Sequence, residues 1–225
     1  MWCVPRIDEE FVARMEDVLR LYARPFNRSR PVIALDEKPV VLRSAARTGV
    51  AMMPGCIAKT DYEYVRRGTA NIFCIVEPLT GRRLTHATAM RKGTDFAQAL
   101  RKIARRYRRA KKIHLVMDNL STHAQSCVIA ALGSARGRAL WARFELHFTP
   151  KHASWLNVAE MEASLVSREC LGRRKFEDIT MLQREVREWN ATADRNRRSI
   201  AWKFRVHDAR RVFRYDGITS TRAGH

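Results

Sequence analysis

The feature that most constrains this chain is a set of short, almost unbroken apolar runs, two of which stop at an aspartate. Pro31-Val-Ile-Ala-Leu-Asp36 and Ile113-His-Leu-Val-Met-Asp118 lack strict polar–apolar alternation, the pattern of strands covered on both faces. A third run, Ile72-Phe-Cys-Ile-Val76, is followed by a polar turn, Leu79-Thr-Gly-Arg82, that leads to a hairpin partner at Arg83 to Met90. Thr94 then caps a helix with Phe96, Leu100, Ile103 and Tyr107 on one face, ahead of the Asp118 run. Strand, hairpin, helix, strand implies a mixed α/β sheet.

Helical spacing recurs on both sides of this unit. Asp8 caps a helix that carries Phe11, Met15, Val18 and Tyr22 on one face and stops at Pro25. Thr122 to Leu132 and Asn157 to Cys170 read as helices, Glu145 to Phe148 as a short strand, and Ile179, Leu182, Val186 and Trp189 mark a last helix. Lys38 to Asn71, with Pro39, Gly49, Pro54, Gly55 and Gly68, reads as irregular; a loop of that length is functional or conceals structure.

The 225 residues suffice for one main domain, and an apolar fraction of 46% can bury a core. The 43 Lys and Arg against 23 Asp and Glu give a net charge of +20, which draws polyanions and makes nucleic acid the leading partner. Ribosomal and membrane-surface proteins share that balance, as do arginine-rich chains from high-GC genomes. Arg101 to Lys112 holds eight basic residues in twelve, either a solvated helix face or a row of phosphate contacts. Arg173, Arg174 and Lys175 carry the same two readings. The five cysteines include no CxxC pair, which argues against a disulfide framework and a cysteine zinc site. No apolar run nears the roughly 18 residues of a membrane span.

Carboxylates at two strand ends could converge on a hard dication such as Mg²⁺ or Mn²⁺, with a third oxygen ligand from the region of Glu160. Each acid has a plainer reading. Asp36 could form a turn or pair with Lys38, Asp118 could cap the next helix, and Glu160 could be a solvated helix charge.

The surrounding blocks are more specific. Leu35-Asp-Glu-Lys38, Met117-Asp-Asn119 with Thr122-His123, and Thr149-Pro-Lys-His-Ala-Ser-Trp-Leu-Asn-Val-Ala-Glu160 resemble bacterial insertion-sequence transposases of the mariner superfamily. Tyr62-Glu-Tyr-Val-Arg-Arg-Gly-Thr-Ala-Asn-Ile-Phe73 and Trp202-Lys-Phe204 extend the resemblance over nearly the whole chain. It implies an RNase H-like mixed five-stranded sheet flanked by helices. It also implies an Asp-Asp-Glu triad of Asp36, Asp118 and Glu160, both catalytic and metal-ligating. The family's acid follows Asn by three residues, which favours Glu160 after Asn157 and leaves Glu162 as the fallback. The implied chemistry is cleavage of transposon ends and joining to target DNA with Mg²⁺ or Mn²⁺, two ions in all.

Further expectations follow from the same resemblance. Arg66, Arg67, His123, Lys151 and His152 are candidates for DNA contact, although a histidine placed like His123 more often packs or caps a helix and Trp155 is expected to pack. Residues 1–30 read as an N-terminal helix and linker, 31–195 as the catalytic domain, and 196–225 as a basic extension. Relatives begin with helix-turn-helix modules, which about 30 residues ahead of Asp36 cannot supply. The expected partners are therefore DNA, a second copy on paired ends and a separately encoded helix-turn-helix subunit, in a bacterial cytoplasm with the nucleoid. Two departures stand out: extra length at Gly133 to Arg143, and Ala153 where relatives often carry Gly. A non-catalytic DNA-binding remnant or accessory subunit is the alternative function, and a nuclease or resolvase of the same fold is a third.

Overall fold

The structure is a computed structural model that describes residues 7–47, 55 and 63–215. Tyr62 of the resemblance block, Cys3, Cys56, Gly49 and Pro54 lie outside the described residues, as does the end of the C-terminal extension.

Six strands form one mixed sheet: β1 Val32–Ala45, β2 Tyr64–Glu77, β3 Arg82–Arg83, β4 His86–Thr88, β5 Ile113–Met117 and β6 Phe144–Phe148. Their order is β3-β2-β1-β5-β6, with β4 also against β2. β1, β2, β3 and β4 pair antiparallel, whereas β5 joins β1, and β6 joins β5, in parallel. The sixth strand arises because the expected hairpin partner is broken in two. Asp194 and Asn190 accept hydrogen bonds from the backbone amides of Arg83 (2.9 Å) and Thr85 (2.8 Å), so side chains of a late helix interrupt the ladder.

β1 departs most from the sequence reading. It does not stop at Asp36 but runs on to Ala45, paired with β2 and bulged at Leu42/Arg43, so the segment read as irregular is largely strand where it is described. Val40, Leu42 and Ser44 are buried in alternation, a period-two signal masked by Pro39. Beyond Ala34, β1 is paired with β2 but no longer with β5, and a half-open strand tolerates proline.

Seven α-helices are found among the described residues: α1 Glu9–Tyr22, α2 Gly93–Arg106, α3 Gln125–Leu132, α4 Ser134–Trp141, α5 Ala159–Leu165, α6 Ile179–Asn196 and α7 Val206–Phe213. The Asp8 carboxylate caps α1 through the Phe11 amide at 2.8 Å. α2 begins one residue before Thr94, and Asp95 folds back on the Lys92 amide at 3.0 Å. α5 continues into a π-helical turn, Val166–Leu171. No helix among the described residues is long and apolar enough to cross a membrane.

Alternation along β1 distributes the core. Ile33 and Leu35 face α2 and its neighbours, with Phe73, Ile75, Phe96 and Leu100. Ala34 faces α1 and α7, with Met15, Leu19, Val76 and Ala209, whereas Val40 and Leu42 face α5 and α6, with Ile72, Val166 and Val186. By the period of two, Asp36 shares the face of Ala34 and Val40 and falls between those two apolar clusters. A carboxylate is tolerated there because neither cluster closes over it.

Candidate active site

The parallel register of β1 and β5 pairs Val32 with His114 and Ala34 with Val116. The pairing ends at Ala34 and Val116, and Asp36 and Asp118 each follow two residues later, near enough for the charge of Asp118 to raise the Asp36 carboxyl. The sheet itself brings these two acids together, although they are far apart in sequence.

The third acid is delivered by a side-chain peg. Asn157 is buried, donates from Nδ2 to the carbonyl of Leu35 at 2.8 Å, and accepts the Ala159 amide on Oδ1 at 3.1 Å. It thus ties the start of α5 to the residue before Asp36, and the Glu160 amide bonds the Asn157 carbonyl at 3.0 Å. This gives the Asn-x-x-Glu spacing a physical reason. Asn anchors the turn and Glu follows on it, over β1 and β2, against which α5 packs.

Glu160 and Glu162 have different surroundings. Glu162 is buried against Arg83, whose Nε donates to both carboxylate oxygens at 3.0 and 2.9 Å. Burial still holds its carboxyl above the usual range, against the pull of Arg83 and Arg198. Glu160 is half-buried and lies near enough to Asp36 to repel it.

The Asp36 carboxyl is pushed up to about 6, first by burial and then by the charges of Asp118, Glu160 and Glu37; the hydrogen bond from the Glu37 amide opposes the shift. Among the described residues, neither Asp36 nor Glu160 is ion-paired with Lys or Arg. The ligand atoms of the three acids are nevertheless not as tightly gathered as those of His114, Glu145 and His147, which all lie within 4.8 Å of one another.

His123 does not occupy the phosphate-facing position expected of it. Its side chain is buried, stacked on Phe96 with centroids 4.5 Å apart, and both ring nitrogens are engaged. Nδ1 lies 3.0 Å from Asp118 Oδ1 and 3.1 Å from the Asp118 carbonyl, while Nε2 lies 3.3 Å from Glu37 Oε1. Burial alone would lower its pKa, but the two carboxylates prevail and raise it to about 9. The imidazolium therefore braces Asp118 from behind. Nothing in the sequence spacing had singled out Glu37 as its second partner.

Lys151 and His152 are exposed and, with Asp118, line a groove of about 810 Å³ whose opposite wall is Asp8, Glu10, Phe11 and Arg14 at the start of α1. His152 holds a left-handed backbone, φ 61°. Arg66 and Arg67 are elsewhere. Arg66 pairs in register with Arg43, seven residues along β1 from Asp36, or about 23 Å at strand rise. Arg67 donates to Ser44 Oγ at 2.9 Å. Trp155 packs against Phe204 and Phe213, and Trp202 against Tyr22.

These features agree with what the chain is similar to. The family model described as DDE superfamily endonuclease matches residues 31–183, and the chain belongs to that family. Among solved structures, the Mos1 mariner paired end complex with Mn is similar at a TM-score of 0.54 and 14% identity, over 95% of this chain and 63% of that one. The Mos1 strand transfer complex gives 0.54 and 14%, over 95% and 62%, and the paired end complex with Mg gives 0.51 and 15%, over 86% and 59%. This chain thus spans less than two thirds of the Mos1 chains, and at such identity the likeness defines the fold: an RNase H-like transposase fold with a mixed sheet flanked by helices. A search of curated proteins finds no match.

Proposed function

We propose that this chain is the catalytic domain of a metal-dependent DNA transposase, which cleaves transposon ends and joins them to target DNA. The observation that carries the reading is the gathering of Asp36, Asp118 and Glu160 with no Lys or Arg paired to Asp36 or Glu160 among the described residues; burial first, and then the charges of the other acids, lift the Asp36 carboxyl to about 6. All-oxygen donors fit Mg²⁺ or Mn²⁺, and a dication would remove the repulsion that the fold leaves uncompensated. Two such ions, when bound, would supply activation of a water or 3′-hydroxyl and stabilisation of the leaving oxygen in an in-line displacement.

The residues divide the work. Asp36, Asp118 and Glu160 are the ligands. Asn157 fixes Glu160 over β1, and the Glu37–His123 pair fixes Asp118. Lys151 and His152 meet the DNA backbone in the groove beside Asp118. Arg66 and Arg67 meet it farther off, about seven base pairs away at a rise of about 3.4 Å. On this reading residues 31–195 carry the chemistry, flanked by 1–30 and a basic 196–225. The partners are DNA, a second copy on paired ends and a separate helix-turn-helix subunit, in a bacterial cytoplasm. With Mg²⁺ or Mn²⁺ and DNA bearing the cognate ends, cleavage should be abolished by Asp118→Ala; cleavage unchanged by that substitution overturns the assignment.

A further inference from the structure

On the strands β5 and β6, and on the α1 side of the sheet, lies a cluster that the three acids do not involve. His114 and Glu145 are register partners, and His147 follows Glu145 by two residues, so all three side chains project from one face. His114 Nδ1 is 2.9 Å from His147 Nε2 and 3.6 Å from Glu145 Oε1. Ligand atoms around a tetrahedral Zn²⁺, at about 2.0–2.1 Å from the ion, stand about 3.4 Å apart, between these two separations. We propose that His114, Glu145 and His147 form a Zn²⁺ site that pins α1 to the edge of the sheet.

Two further details point to a ligand. His147 Nδ1 bonds Asp17 Oδ2, on α1, at 2.6 Å; a carboxylate on the far nitrogen of a histidine fixes the tautomer whose Nε2 lone pair faces the ion. His114 is 1% exposed, yet its Nε2 is buried without a hydrogen-bond partner. With Nδ1 on the metal, Nε2 carries the proton, next to the 260 Å³ cavity that His114 borders with Arg24, Asn27 and Arg30.

Arg30 works against a cation here but does not block it. It bonds Glu145 through Oε2 at 2.9 Å, which leaves Oε1 for the ion, and its half-exposed side chain can move aside at little cost. Two imidazoles and one carboxylate suit Zn²⁺ better than Mg²⁺, so the site is chemically distinct from the all-oxygen acids. Its structural consequence is local: the same helix that supplies Asp17 forms, at its start, a wall of the groove beside Asp118.

The full chain carrying Asp36→Asn and Asp118→Asn, which removes competing binding at the acids, is titrated with Zn²⁺ by calorimetry and with Co²⁺ by visible absorption. One equivalent should bind, raise the melting temperature, and give the intensified Co²⁺ band of a low-symmetry site; excess Mg²⁺ should not compete. Glu145→Gln and His147→Gln should each weaken Zn²⁺ binding more than tenfold, and Asp17→Asn about 10- to 100-fold. Glu145 is partly exposed, so its variant keeps the fold and decides the matter if His147→Gln does not. Zn²⁺ affinity unchanged by Glu145→Gln, or no stoichiometric binding to the folded chain, overturns the site.

Discussion

Two glutamates two residues apart on α5, Glu160 and Glu162, should leave opposite mutational signatures. Glu162 and Arg83 are both wholly buried as side chains, and Arg83 also donates to the carbonyls of Gly81 (2.7 Å) and Arg198 (3.0 Å). The pair as a whole is a poor source of stability, since burial holds the Glu162 carboxyl up in spite of its partner. Removing one member is different, because the other is left charged and buried. Arg83→Met should cost about 4–5 kcal/mol: roughly 3–5 for the orphaned carboxylate and about 1 for each lost carbonyl bond, partly offset by the apolar replacement. Glu162→Gln keeps one acceptor and should cost about 3 kcal/mol. For a chain of this size that is a fall of about 6–12 °C in melting temperature.

Replacing both, Arg83→Met with Glu162→Met, should return stability to within about 2 kcal/mol of the parent, so that removing the pair costs less than removing Arg83 alone. Glu160→Gln, two residues away, should change stability by less than about 0.5 kcal/mol or raise it, since it relieves repulsion with Asp36. Urea midpoints at constant slope would measure all four variants. If Glu162→Gln stays within about 1 kcal/mol of the parent, or if Glu160→Gln destabilises as much, the division into a structural and a site glutamate is wrong.

Other perturbations test the remaining supports. Asn157→Ala removes the bond to the Leu35 carbonyl and the Ala159 amide contact, and should cost about 1–3 kcal/mol in a urea titration while lowering cleavage further than that loss of folded protein explains. Gly81→Ala places a Cβ 2.5–2.7 Å from the backbone of Arg197 and Arg198 at a φ of +66°; a loss of about 2 kcal/mol or more is expected, and a neutral result would contradict the close approach. Glu169 is held at about 2 by hydrogen bonds from Arg198 and Trp189 that outweigh burial. Its folded pKa lies below the ordinary 4.5, so its contribution is present above that pH and lost as pH falls toward 2; Glu169→Gln should flatten the stability profile over that window.

Much of this was legible in the sequence because it depends on local pattern. The runs ending at Asp36 and Asp118 are buried strand, and the Asn157–Glu160 spacing is a turn held by one side chain. What was hidden depends on contacts distant along the chain. The length of β1 was concealed by Pro39, whose neighbours Val40 and Leu42 alternate over too short a stretch to stand out beside the glycines that follow. The split of β3 from β4 is imposed by Asn190 and Asp194, more than a hundred residues later. His123 looked available because an exposed loop histidine and a buried brace have the same sequence; only Glu37 and Phe96 tell them apart. His114 was read within an apolar run and His147 within a short strand, and their meeting requires the parallel register of β5 and β6.

The charge arrangement links stability to the proposed chemistry. A chain with 43 Lys and Arg could neutralise any acid, and it does so widely: Glu16 meets Arg20 and Arg210, Glu169 meets Arg198, Asp194 meets Arg106, and Glu162 meets Arg83. An arginine beside Asp36 would have drawn its carboxyl below the usual range and occupied the oxygens that a metal needs. Instead, among the described residues, no Lys or Arg is paired with Asp36, which feels the charges of Asp118, Glu160 and Glu37, and Asp118 has an imidazolium on one oxygen from behind. The fold therefore carries a negative cluster that is only partly compensated, held in place by Asn157 and by packing on either side of β1. Such strain persists only where surrounding structure over-determines it, and it gives a dication or a protonated carboxyl a larger effect here than at any ion-paired acid in the chain.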